Sequence, residues 1–133
     1  MIKTSLVVAV KNVRESSKWY QHLLGCKSPL EQDNDHRDLF DVLQNDAGNT
    51  ILALSRWDHN SLAPLAQQAI GKPGLGIVPV FSVNDFEESW ERAKELNAKV
   101  VLEPHESRGF KVSEYTIVDL DGYVITVSAW GKA

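Results

Sequence analysis

Four histidines, His22, His36, His59 and His105, are the residues best equipped for proton transfer or metal ligation. No two of them stand at i,i+4 or in a metal-binding motif. His36 falls in Asp33-Asn34-Asp35-His36-Arg37-Asp38, which reads as a solvated hairpin loop. A calcium loop would need a central glycine and a terminal glutamate there. His105 has better company, in Glu103-Pro104-His105-Glu106-Ser107-Arg108. A His/Glu pair could exchange protons with a substrate, and Arg108 could hold a carboxylate. The competing reading is a polar surface loop. The single cysteine, Cys26, excludes an internal disulfide and any multi-cysteine metal site. It follows Gly25 at the end of a predicted helix. The negative end of a helix disfavours a thiolate, so Cys26 reads as a small core residue. Gly-x-Ser-x-Gly, phosphate-loop and dinucleotide fingerprints are absent. Trp19 and Trp90 read as core. Trp57 and Trp130 end predicted strands, and with Tyr115 and Phe110 they could wall a ligand site or an interface. Ordinary core packing is the alternative for each.

The elements that must position these residues occur twice. Residues 5–12 (Ser-Leu-Val-Val-Ala-Val-Lys-Asn) and 78–85 (Val-Pro-Val-Phe-Ser-Val-Asn-Asp) are apolar runs ending in Val-x-Asn/Asp, at an offset of 73. Asn12 and Asp85 are N-cap residues, each followed three residues later by glutamate, Glu15 and Glu88. Val13, Ser17, Tyr20 and Leu23 form one helix face; Phe86, Trp90, Ala93 and Leu96 form the other. Gly25 and Asn97 suit the left-handed conformation that ends a helix. Strand-like stretches follow over 26–31, 38–44 and 49–56, and again over 98–103, 110–118 and 123–129. Similar turns, Asn45-Asp46-Ala47-Gly48 and Asp119-Leu120-Asp121-Gly122, precede the last strand of each set. Residues 57–76 link the sets, with a short helix possible over 64–70. The expectation is one α+β domain over 1–133, made of tandem β-α-β-β-β modules at 1–56 and 77–133.

Composition narrows the function. With 133 residues, 43% of them hydrophobic, a real core can form. A net charge of −4 argues against non-specific nucleic-acid binding. No apolar run reaches the ~20 residues of a membrane helix, and Met1-Ile2-Lys3-Thr4 does not open a signal peptide. The expected setting is cytoplasmic.

The duplicated pattern resembles the vicinal oxygen chelate superfamily, which includes glyoxalase I, extradiol dioxygenases and the fosfomycin- and bleomycin-resistance proteins. The resemblance is carried by Val10-Lys11-Asn12-Val13 with Ser16, Trp19-Tyr20 and Leu24-Gly25. It continues in Leu102-Glu103-Pro104 with Arg108-Gly109-Phe110, and in Asp119-Leu120-Asp121-Gly122-Tyr123. It implies two modules forming a partly open barrel around a cavity. It also implies where His or Glu ligands would hold a metal: seven residues before the Val-x-Asp position and four after the turn glycine. Those positions here are Ser5, Leu52, Val78 and Thr126. None carries an imidazole or carboxylate, and lone hydroxyls are poor ligands for a transition metal. No metal and no cofactor are therefore expected.

What remains is a cavity lined by mainly apolar residues with a few hydroxyls. Such a lining suits a small apolar or aromatic molecule. The ligand-binding candidates are Ser5, Leu52, Trp57, Val78, Tyr115, Thr126 and Arg108, with His105 as the catalytic candidate. Metal-free binding, as in drug-binding relatives, is the leading expectation. A lyase, isomerase or dioxygenase-like enzyme of the glyoxalase type is the alternative. Proteins of the resembled kind are commonly dimers, so a homodimer is also expected.

Overall fold

A computed structural model of the chain describes residues 4–29, 38–57, 76–107 and 112–129. The chain divides into two compact units, Met1–Ile70 and Gly71–Ala133, with the boundary inside the expected linker. The fold is α+β, with one helix and one open mixed sheet in each unit among the described residues.

In the first unit, β1 (Val7–Val10) leads through Asn12 into α1 (Val13–Leu24). The Asn12 side chain accepts the Glu15 N–H at 3.0 Å, the cap its residue type predicted. Val13, Ser17, Tyr20 and Leu23 are buried as one face. Gly25 closes the helix at φ 69, and its N–H donates to the Gln21 carbonyl at 2.9 Å. The strands β2 (Phe40–Gln44) and β3 (Thr50–Arg56) complete a sheet of order β1-β3-β2. Of the strand expected over 26–31, the structure shows an antiparallel bridge between Lys27 and Gln44.

The second unit repeats the plan with β4 (Val80–Val83), α2 (Phe86–Glu95), β5 (Lys99–Glu106), β6 (Ser113–Val118) and β7 (Val124–Ala129). Its sheet order is β4-β7-β6-β5. The outer strands of both modules pair in parallel with the last strand, β1 with β3 and β4 with β7. Asp85 caps differently from Asn12. It makes no side-chain cap bond, and its carboxylate instead takes Arg92 Nη2 at 2.8 Å, seven residues on. An aspartate near a helix N-terminus is favoured by the dipole without that bond.

The turns before β3 and β7 share one chemistry. Asn45 Oδ1 accepts the Asn49 N–H, and Asp119 Oδ1 accepts the N–H groups of Asp121 and Tyr123. Gly48 and Gly122 sit at φ 83 and 95, where an L side chain is strained. Duplication is thus written into the backbone as well as the sequence. The helix expected over 64–70 lies outside the described residues.

Candidate functional site

Strand register sorts every strand residue onto one of two faces, because cross-strand partners share a side and neighbours alternate. In the first unit Asp41 faces α1. Its Oδ2 accepts the Ser17 hydroxyl at 2.6 Å, and its Oδ1 accepts the Ser28 hydroxyl and the Val42 N–H. Leu54 pairs with Asp41 and Leu52 with Leu43, so these leucines lie under the helix too. In the second unit Tyr115 faces α2. Its hydroxyl donates to Ser89 Oγ at 3.0 Å, and its ring meets Trp90 and Phe86 at 5.0 and 5.5 Å.

On the opposite faces, free of helix among the described residues, two residue rows in each unit lie beside a third, Gln44–Thr50 in the first unit and Lys99–Val118–Val124 in the second. In the first unit the rows are Val7–Ala53–Val42 and Ala9–Ser55–Phe40. In the second they are Val80–Thr126–Thr116–Leu102 and Ser82–Ser128–Glu114–His105. The rows occupy matching places in the two modules. The Ala53 N–H donates to the Leu6 carbonyl and the Thr126 N–H to the Pro79 carbonyl, both at 2.9 Å.

These placements correct three of the sequence expectations. Leu52 is 1% exposed beneath α1 and does not line the helix-free face. Ala53 holds the place matching Thr126, because the β2–β3 pairing slips between Leu43 and Gln44 and passes over Ile51. That extra residue shifts every side chain after it to the other face. Tyr115 is 0% exposed beneath α2 and is a core residue, not a wall of a ligand site. His105 lies on β5 itself, not in a loop.

The other candidates fall as follows. Ser5 and Val78 are exposed just ahead of β1 and β4, and Thr126 is buried with its hydroxyl on Thr116 Oγ1 at 2.9 Å. Trp57 is part-exposed, one residue past β3. Arg108, Phe110, Trp130, His36 and His59 lie outside the described residues. Cys26 is buried, and its thiol donates weakly to the Tyr20 carbonyl at 3.7 Å. Burial pushes the thiol up to about 11, with a hydrogen bond from Cys26's own backbone opposing and the nearby Asp41 charge adding to the shift. Sequence reasoning missed Glu114. Its signal was period-2 spacing from Thr116 and Val118, but no motif drew attention to it.

His105 and Glu114 are the titratable pair of this surface. His105 Nε2 stands 3.2 Å from Glu114 Oε1, and Nδ1 stands 2.7 Å from the Glu103 carbonyl oxygen. Both ring nitrogens thus face acceptors.

The sequence profile of the Glyoxalase/Bleomycin resistance protein/Dioxygenase superfamily matches residues 4–127. The chain belongs to this superfamily. Solved members and neighbours share the fold at low identity. A hypothetical protein, SA1046, from S. aureus is 23% identical, with a TM-score of 0.73 and coverage of 97% of this chain and 95% of that one. A superfamily enzyme from Burkholderia phytofirmans PsJN is 16% identical, with a TM-score of 0.73 and coverage of 94% and 95%. The fosfomycin resistance protein FosX from Listeria monocytogenes is 13% identical, with a TM-score of 0.65 and coverage of 97% and 94%. Comparison with curated proteins finds no match.

The metal that the superfamily resemblance implies does not fit the residues present. The two first-module places hold Ser5 and, by register, Ala53; the two second-module places hold Val78 and Thr126. Alanine and valine have no donor atom, and the Thr126 hydroxyl is already bonded to Thr116. Among the described residues, no three His, Cys, Asp or Glu side chains converge.

Proposed function

We propose that this superfamily member binds a small apolar or aromatic molecule without a transition metal. The observation that carries the reading is the residue set Ser5, Ala53, Val78 and Thr126 at the superfamily's metal places. The character of the helix-free faces supports it. In the first unit that face carries exposed Val7, part-exposed Phe40 and Val42, and buried Ala9, Ala53 and Ser55. Val7 and Val80, matching positions, remain 45% and 60% exposed. Exposed valines at the starts of strands are the kind of surface that a ligand's apolar atoms cover at a gain.

Two measurements test this. Elemental analysis after gentle purification is expected to find no stoichiometric Zn, Ni, Fe or Mn. A thermal-shift screen of aromatic compounds is expected to find ligands that raise Tm, since binding to the folded state alone must do so. Trp57→Ala should weaken such a ligand about tenfold, through lost stacking and apolar area. Val7→Glu should remove its shift by placing a carboxylate on the apolar face. One tightly held transition metal per chain, or a screen without a single stabilising compound, would overturn the reading.

A further inference from the structure

We propose that the row His105–Glu114–Ser128–Ser82 binds the ammonium group of a small amine whose apolar body lies along the neighbouring row, and that protonation of His105 weakens this binding. The proposal rests on the reading of this face as a ligand surface and adds the ligand's charge class.

Glu114 is the anchor. Its side chain is 28% exposed, and that of His105 is 37% exposed, so solvent reaches both. Oε1 is engaged by His105, while among the described residues no donor reaches Oε2. A carboxylate oxygen accepts more than one hydrogen bond, so an ammonium N–H has a place to go. Ser82 and Ser128 lie 2.9 Å apart, and one hydroxyl donates to the other. The donating oxygen keeps lone pairs for a second ligand N–H.

The charge of the row decides the sign of the ligand. The Glu103 carbonyl and the Glu114 carboxylate both accept, so the imidazolium can donate to both, through Nδ1 at 2.7 Å and Nε2 at 3.2 Å. The neutral ring has one proton and satisfies only one of the two. The pair therefore runs from zero charge, with imidazolium, to −1, with neutral imidazole. While the Glu114 carboxylate is ionised the pair is never positive, which disfavours anions and favours cations. The other strands do not change this balance. β7 and β4 bring only Ser128 and Ser82 to the row, and β5 also carries exposed Glu103 and Glu106. Lys99 stands at the far end of β5, opposite Val118.

Two further observations shape the ligand. The adjoining row offers Val80 and Leu102, 60% and 50% exposed, around the mutually bonded Thr116 and Thr126 hydroxyls. That is a surface for hydrocarbon beside a carboxylate. The order of the row also argues for binding over hydrolysis. Glu114 stands between Ser128 and His105, so the imidazole is not next to a serine whose proton it could take. The matching row of the first module, Ala9–Ser55–Phe40, has no charge, so the site belongs to the second module alone.

The test uses three probes of one shape: phenylbutylamine, phenylbutanol and phenylbutyrate. Each is titrated into the full chain at about pH 5.5 and about pH 8, where the amine stays protonated. Binding is read from amide and side-chain NMR shifts. The amine should bind about fivefold more tightly than the alcohol at the higher pH, and the butyrate most weakly. Glu114→Gln should abolish the preference for amine over alcohol while leaving alcohol binding intact. His105→Gln should give tight amine binding at both pH values, removing the pH dependence. Equal binding of amine and alcohol, unchanged by Glu114→Gln, would overturn this inference and leave the proposed function standing. Failure of all three probes to bind would overturn this inference, while the proposed function falls only if the aromatic screen also finds no stabilising compound.

Discussion

Two buried groups on the first module show what single side chains hold in place. Asp41 is 1% exposed and accepts from Ser17, Ser28 and the Val42 N–H, while Gln21 Nε2 donates to Ser17 at 2.8 Å. A buried carboxylate is tolerable because its oxygens are filled. Asp41→Ala strands two buried hydroxyls and opens a void. It should cost about 2–4 kcal/mol in urea unfolding at neutral pH, and a loss below about 1 kcal/mol would contradict the network's role. Cys26 is the second group. With its thiol pushed up to about 11 from an ordinary 9.0, it should alkylate far more slowly in the native protein at pH 8 than in denaturant. The thiol is held protonated in the folded state, so unfolded chains release its proton first. Stability from this site is present below the unfolded value of 9.0 and is lost as pH rises toward about 11. Cys26→Ser should lack that alkaline decline; an identical decline in the variant would refute the assignment.

Helix ends are the element-scale features where the two modules part company. Asn12 bonds the Glu15 N–H, whereas Asp85 reaches Arg92 across seven residues at a part-exposed site. Asn12→Ala should therefore cost about 1 kcal/mol of stability through a lost cap bond. Asp85→Asn should cost less, since it removes a part-exposed ion pair and a dipole contact. The salt dependence of unfolding separates them, because only the Asp85 variant should lose sensitivity to salt. At the other end of α1, a Cβ on Gly25 would meet nothing within 4 Å. Gly25→Ala should still cost about 1 kcal/mol, since the φ of 69 alone is unfavourable for alanine. A neutral outcome in chemical denaturation would mean the backbone there relaxes.

At the scale of the whole molecule, the matter to test is assembly. Strand β5, an edge of its sheet among the described residues, exposes Val100, Val101 and Leu102 at 40, 50 and 50%, a run of apolar side chains. Monomeric proteins usually blunt such edges with charge or cover. Pro79, just ahead of the other edge strand β4, is where a residue lacking an N–H is tolerated. We expect a homodimer. Sedimentation at micromolar concentration should give twice the chain mass, and Val101→Lys should shift the equilibrium toward monomer. A wild-type monomer at high concentration would refute it. Among the described residues, no helix is long and apolar enough to cross a membrane.

By itself the sequence determined the duplication, the two described helices with the Asn12 cap and the Gly25 stop, and the order of the strands seen. Each follows from local chemistry: apolar runs, Asn12 and Gly25 at helix ends, and glycine at φ 83 and 95 in the two turns. Which way each strand side chain faces was decided only in three dimensions. The slip that passes over Ile51 put Leu52 under α1 and Ala53 in the place of interest, and no local signal marks a one-residue slip. Tyr115 reads as a ligand wall in one dimension and becomes core because Ser89 and Trp90 cover it. Glu114 and His105, nine residues apart, meet only because β5 and β6 pair antiparallel in this register. Pairing between strands is a long-range interaction, and a side chain's partner there depends on the register of the whole ladder.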